Sequence, residues 1–228
     1  MKKLGEGSYS KVYLGQNQNT HEFYALKRIE LNSLSKTNNG FDQIENEIKI
    51  MRKLEHPNII SLHEVIHSPS EDVIYFVTEY ANCGSLSQII NSGYDFDPKQ
   101  IQKIFVQIVS GISFIHKNSI VHQDIKPANL LLKSNGKVLI TDFGIGNSFE
   151  NAAKVFGTPA YQAPEIISDP KDNLEKEYRS NYNPAQEDIW SLGVTLYELS
   201  FKKLPFDGQD IFDIANSISQ SFKLKLII

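Results

Sequence analysis

Over the first eighty residues the apolar positions follow a strand-like pattern, interrupted once by a helical one. Residues 11–15 and 22–29 are rich in aromatic and branched side chains and flank a polar turn at 16–21. Residues 32–40 read as a polar loop. Between 41 and 54 the period changes: Phe41, Ile44, Ile48, Met51 and Leu54 recur at intervals of three and four, which predicts a helix. Residues 59–65 and 73–80 return to strand composition across the polar loop 68–72. From Ser85 onward the pattern turns helical. Asp97-Pro98 opens a helix that runs to about Lys117, with Asp97 as N-cap and Pro98 in the first turn. Ile189, Leu192, Val194, Leu196 and Leu199 spread apolar groups over most faces of a helix at 184–201, which predicts its burial. Residues 168–183 are charged and aperiodic and read as a surface insertion. No internal repeat is present.

Composition narrows the function classes more than it defines one. The chain has 228 residues, 40% of them apolar and 22% charged, with a net charge of −4. This is an ordinary globular balance. It gives no reason to expect a nucleic-acid partner or a membrane surface as partner. The one cysteine, Cys83, excludes an intrachain disulfide and fits a reducing compartment. Met1-Lys2-Lys3-Leu4-Gly5 lacks the apolar run of a signal peptide. No stretch approaches 18 apolar residues, and the alternating residues 222–228 are too short to span a bilayer. A cytoplasmic monomer is the expectation.

The chemistry concentrates in Val121-His122-Gln123-Asp124-Ile125-Lys126-Pro127-Ala128-Asn129. Asp124, Lys126 and Asn129 fall within six residues, bordered by apolar runs at 111–115 and 130–132. A further apolar run, Val138-Leu139-Ile140-Thr141, delivers Asp142 into Phe143-Gly144, thirteen residues after Asn129. Charged groups where a core would want Leu are costly unless something pairs with them. A divalent cation and a polyphosphate would do so. Phosphoryl transfer needs this set: a carboxylate to take the attacking hydroxyl's proton, a cation near the moving phosphate, and hard oxygen donors for Mg²⁺.

This ordered pair of motifs resembles the protein kinase family, whose pattern His-Arg-Asp-x-Lys-x-x-Asn followed by Asp-Phe-Gly is met at every position but one. The resemblance implies an α+β, bilobal kinase fold. Its small lobe (1–80) would hold five strands and one main helix. A hinge (81–84) would lead to a larger, mostly helical lobe (85–228). It implies an ATP- and Mg²⁺-dependent enzyme acting on protein substrates. Asp124 would be the base, Lys126 would hold the phosphate, and Asn129 and Asp142 would bind the metal. Leu4-Gly5-Glu6-Gly7-Ser8-Tyr9-Ser10-Lys11-Val12 resembles the glycine-rich loop over the phosphates, with Ser10 where the family usually has Gly. Lys27 would grip the α and β phosphates, paired with Glu47 rather than the solvent-facing Glu45. Thr78 would be the gatekeeper. Glu79 and Ala81 would bind the base through their backbones, and Val12, Ala25 and Leu131 would sandwich it. Met51, Leu62, His122 and Phe143 would stack in an active arrangement. Ser85 replaces a common acidic ribose contact.

Gly157-Thr158-Pro159-Ala160-Tyr161 and Ala163-Pro164-Glu165 resemble serine/threonine kinases. With Gly193-Val194-Thr195-Leu196-Tyr197 they suggest the calmodulin-kinase-like group, near the upstream kinases of AMP-activated-type kinases. No basic amphipathic tail points to calmodulin. Gln123 replaces the Arg that normally receives an activation-loop phosphate, and Lys154 stands where the phosphorylated residue often lies. Activity independent of such phosphorylation follows as an expectation. Ala128, where Arg-directed kinases often carry Glu, argues against an upstream Arg preference. The family's large lobe continues for several more helices, so this one reads as truncated, with a buried Glu165 lacking its usual Arg. Two alternatives stay open: a catalytically impaired kinase-like binding module, and a small-molecule kinase of the same fold.

Overall fold

The computed structural model describes residues 2–7, 10–34, 40–144, 146–148, 158–167 and 183–225. The first layer is a five-stranded antiparallel sheet: β1 (Lys3–Glu6), β2 (Ser10–Gln16), β3 (Phe23–Glu30), β4 (Leu62–Ser68) and β5 (Val73–Glu79), in the order β1-β2-β3-β5-β4. A single turn, α1 (Leu31–Leu34), precedes α2 (Gly40–Lys53). Helix α2 buries Ile44, Glu47, Ile50 and Met51; of the expected apolar stripe, Ile48 is half-buried and Phe41, in the first turn, is 54% exposed.

The second layer is helical: α3 (Leu86–Asn91), α4 (Pro98–Lys117), α5 (Pro164–Ile167), α6 (Ala185–Phe201) and α7 (Ile211–Lys225). Two short hairpin-like pairs lie among them. Strand β6 (Ile120–Val121) pairs with β9 (Asn147–Ser148), and β7 (Leu130–Leu132) pairs with β8 (Val138–Ile140). Helix α4 starts where the sequence predicts. The Asp97 carboxylate accepts from Gln100 N, and the Gln100 side chain accepts from Asp97 N, each at 2.9 Å. This reciprocal cap satisfies two amide donors that the first turn leaves open.

One core joins the layers. Ile29, Met51 and Phe76 from the sheet side meet Ile108, Ile112, Ile115, Ile140, Phe143 and Leu192 in a single buried cluster. Each such side chain contributes about 1.5–3 kcal/mol when fully buried. A smaller cluster, Ile167, Ile214 and Ile218, fixes α7 against α5, with Trp190 and Phe206 stacked at 5.5 Å beside it.

Several expectations change. The strand expected at 59–65 begins only at Leu62. Residues 58–60 are bonded to β8 instead: Ile60 N donates to Ile140 O at 2.8 Å, and Ile140 N to Asn58 O at 2.9 Å. Their backbone groups are therefore spent across the layer boundary, not in the sheet. Burial of α6 is one-sided. Leu192, Val194 and Leu199 are buried, but Ile189 is 57% exposed. Helix α6 is covered by α4 and the turn Pro159–Tyr161, which leaves the Ile189 edge open among the described residues. Glu165, expected to be buried, is exposed at the start of α5, so the expected desolvation cost does not arise. Ser8, Tyr9, Lys154, Gly157 and the expected insertion up to residue 182 lie outside the described residues. No helix among the described residues is long and apolar enough to cross a membrane.

Candidate active site

Register decides what the sheet presents. Val12 pairs with Lys27 across β2 and β3, Lys27 pairs with Phe76 across β3 and β5, and Ala25 pairs with Thr78. Directly opposed residues of an antiparallel pair share a face, and residues two apart share it too. Val12, Ala25, Lys27, Phe76 and Thr78 therefore lie on one face. The edge of that face is the β1–β2 turn, where Gly5 opposes Val12 and Gly7 N donates to Ser10 O at 2.8 Å. Leu4 is half-buried and Glu6 exposed in β1.

From that face Lys27 reaches α2. Its Nζ lies 2.6 Å from Glu47 Oε1 and 3.4 Å from Asp142 Oδ1. Glu45, two residues earlier, is exposed and pairs with Lys49 at 2.8 Å. The choice of Glu47 over Glu45 follows from the helical face that also buries Met51. Burial opposes charge on Lys27, but Glu47 and Asp142 outweigh it, and the ammonium is held above the ordinary lysine range. Lys27 in turn holds the Asp142 carboxyl below the usual carboxylate range, against the opposing effect of burial. Asp142 has φ of 70°, a left-handed backbone that a non-glycine residue adopts at a cost. Phe143, next to it, is fully buried, with its ring 5.0 Å from the His122 ring. Met51 shares the core cluster with Phe143, and Leu62 packs against it.

The loop between β6 and β7 gathers the second charged group. Lys126 Nζ is 2.8 Å from Asp124 Oδ2, and Asn129 Nδ2 donates to both Asp124 O and Oδ2 at 2.8 Å. Thr158 Oγ1 donates to Asp124 Oδ1 at 3.1 Å, and Lys126 Nζ donates to Thr158 Oγ1 at 2.5 Å. A carboxylate, an ammonium and a hydroxyl thus meet at one point. Asn129 spends its amide nitrogen on Asp124, which leaves its amide oxygen as the group able to meet a cation. The Asp142 side chain is 48% exposed. A buried amide oxygen and an exposed carboxylate are hard oxygen donors of the kind Mg²⁺ takes.

Residues that the sequence reading passed over hold this loop. Asp188 on α6 is fully buried; it accepts from His122 N at 3.0 Å and Gln123 N at 2.8 Å, and meets His116 Nε2 at 2.7 Å. Those bonds secure Gln123 at φ of 64°. The Gln123 amide donates to Glu187 Oε2 at 3.2 Å. Burial pushes the Glu187 carboxyl up to about 7, and Asp188 and Glu165 add to the effect, against the bond from Gln123. Tyr161 OH bonds Glu198, and Ser191 Oγ donates to Tyr161 O at 2.8 Å. Burial raises the Tyr161 phenol further above its ordinary value than that bond does. Asn46 Nδ2 donates to Gly146 O at 2.8 Å. The available signal was a pair of acids, Glu187 and Asp188, inside an otherwise apolar helix pattern. Such acids demand partners when buried.

Across from the sheet face stands β7 with Leu131, half-buried and bridged to Ser85. Ser85 caps α3: its hydroxyl accepts from Gln88 N at 3.2 Å. Ala81 is buried in the connector between the layers. The Glu79 side chain turns to the opposite face, toward Lys133 and Lys137.

The protein kinase domain model matches residues 1–227 of this chain. CBL-interacting protein kinase 26 of Oryza sativa subsp. japonica is 36% identical over 226 residues, covering 96% of this chain and 43% of the relative. CBL-interacting serine/threonine-protein kinase 20 of Arabidopsis thaliana is 35% identical over 223 residues, covering 95% and 48%. "Probable serine/threonine-protein kinase MARK-C" of Dictyostelium discoideum is 37% identical over 227 residues, covering 97% and 28%. The chain spans less than half the length of each of these curated relatives. The five-stranded sheet, the helical second layer and the match over almost the whole sequence agree: this chain belongs to the protein kinase domain family.

Proposed function

We propose that this chain is an ATP-dependent protein serine/threonine kinase, transferring the γ-phosphate of ATP to Ser or Thr hydroxyls of protein substrates. The observation that carries the reading is the convergence of Asp124, Lys126 and Thr158 within 3.1 Å of one another, beside Asn129. Residues 1–80 form the small lobe, 81–84 the hinge and 85–228 the large lobe. Val12, Ala25 and Leu131 sandwich the base, which the backbones of Glu79 and Ala81 hydrogen-bond beside Thr78. Gly5 and Gly7 approach the phosphates. Lys27, fixed by Glu47, holds the α and β phosphates. Asn129 and Asp142 would hold Mg²⁺, which would supply positive charge to the phosphate oxygens. Asp124 Oδ1 takes the proton of the attacking hydroxyl. Lys126, already against Asp124, keeps that carboxylate oriented and faces the transferred group.

We further propose that the active geometry does not require a phosphorylated activation segment. Gln123 offers no guanidinium to a phosphate, and its amide is engaged by Glu187. Ser148→Ala is expected to keep full activity, and abolition of activity in that variant overturns this part. The unpaired Cys83 and the protein-directed chemistry suit a cytoplasmic setting.

The test is ATP-dependent phosphorylation of a generic Ser/Thr substrate with Mg²⁺, wild type beside Asp124→Asn. Transfer by the wild type and a loss of about 10³-fold or more in the variant is expected. A folded wild type that binds nucleotide and transfers nothing refutes the catalytic reading.

A further inference from the structure

The connector between the two layers is strapped from behind by the tip of the β7–β8 hairpin, whose charged residues have no part in the chemistry described above. Glu79 ends β5, and strand alternation turns its carboxylate away from the face that carries Thr78. That carboxylate is only 14% exposed, and its Oε2 meets both Lys133 Nζ and Lys137 Nζ, each at 3.3 Å. Both lysines sit at the tip of the β7–β8 hairpin, where Lys133 N donates to Lys137 O at 2.9 Å. Three residues along the connector the strap is repeated. Asn82 Nδ2 donates to Ser134 Oγ at 2.9 Å, and Ser134 N donates to Asn82 Oδ1 at 2.8 Å. The same tip is moored to α4, because Gln107 Oε1 accepts from Val138 N at 3.0 Å and Gln107 Nε2 donates to Gly136 O at 3.0 Å.

The consequence is a mechanical link. Leu131 lies on the hairpin, and Ala81 lies in the strapped connector. The two groups read as the floor and the edge of the base pocket therefore belong to one braced unit. We infer that Glu79, Lys133 and Lys137 are positioning residues that set the gap between the layers, and with it the affinity for the nucleotide, without touching the phosphates. This rests on the nucleotide-binding reading given above. Removing the strap lets the connector flex, so binding weakens while the phosphoryl-transfer step, governed by Asp124 and Lys27, is unchanged.

The experiment measures Kd for Mg·ATP by direct titration, together with kcat and KM, on the whole chain. Lys133→Ala/Lys137→Ala is expected to raise Kd and the KM for ATP about fivefold, with kcat within about twofold of wild type. Glu79→Gln alone gives the same factor, and the triple variant gives no more, as partners in one network behave. A lowered thermal midpoint with wild-type Kd makes the strap a stabiliser only and overturns the inference. Additive losses in the triple variant overturn it as well. A wild type that does not bind Mg·ATP refutes the nucleotide-binding reading itself, and the inference falls with it.

Discussion

Two charged clusters in this molecule are built on opposite logic. Around Lys27 one ammonium faces two carboxylates, Glu47 and Asp142, which leaves negative charge over, and the Asp142 side chain remains open to solvent. Beneath the catalytic loop, Asp188 and Glu187 are adjacent acids on one helix, both buried. There Asp188 is satisfied by two backbone amides and His116, while Glu187 Oε1 has no hydrogen-bond partner among the described residues. In the proposed function the first cluster receives a polyanion and its metal. The second holds backbone, and leaves one acid poorly solvated. The cluster around Lys27 keeps one carboxylate, Asp142, open to solvent, whereas the acids beneath the loop are both buried.

The comparison breaks most sharply at its centre. Lys27→Met is expected to lower phosphotransfer by about 10³-fold and to lower the thermal midpoint as well, because it removes an interaction with substrate and also leaves the buried Glu47 without its cation. A rate assay paired with a melting curve checks both halves. Asp188→Asn should act mainly on stability. It replaces an acceptor of two amide hydrogens with a group that has one acceptor oxygen and unwanted donors. A loss on the order of 3 kcal/mol in unfolding free energy is expected by denaturant titration, with activity falling as the loop at Gln123 relaxes.

Glu187 gives a pH signature. Its carboxyl is raised in the folded chain from about 4.5 to about 7. Between those values the folded state binds the proton more tightly than the unfolded state does, so stability falls as pH rises and levels off above 7. Glu187→Gln removes that loss. The variant should gain about 2 kcal/mol over wild type at pH 8 and nothing at pH 4, read from midpoints across pH. An advantage that is equal at both pH values would show that Glu187 does not titrate there. The smallest effect belongs to Asn46→Ala. It removes one bond from α2 to Gly146, so kcat should fall about threefold to tenfold with Mg·ATP affinity unchanged.

The strands and helices were legible where one face is buried. The spacing of Ile44, Met51 and Leu54 located α2 and the inward face of Glu47, and Asp97-Pro98 located the start of α4 to the residue. Residues 59 and 60 were misread because strand composition does not say which partner supplies the backbone bonds, and at 58–60 β8 supplies them. Glu165 was misread because a single acid carries no local sign of its exposure.

The amino-acid sequence by itself determined the family, the order of elements and the motif residues, because these depend on local spacing and on residue types that few other chemistries require. The tertiary structure alone decided which distant groups meet. It paired Asp188 with the amides of His122 and Gln123, sixty-six and sixty-five positions away, and Lys133 and Lys137 with Glu79, and it left the Ile189 edge open. Such pairings are set by how the two layers dock, and docking depends on shape complementarity summed over the whole core, which no local pattern encodes.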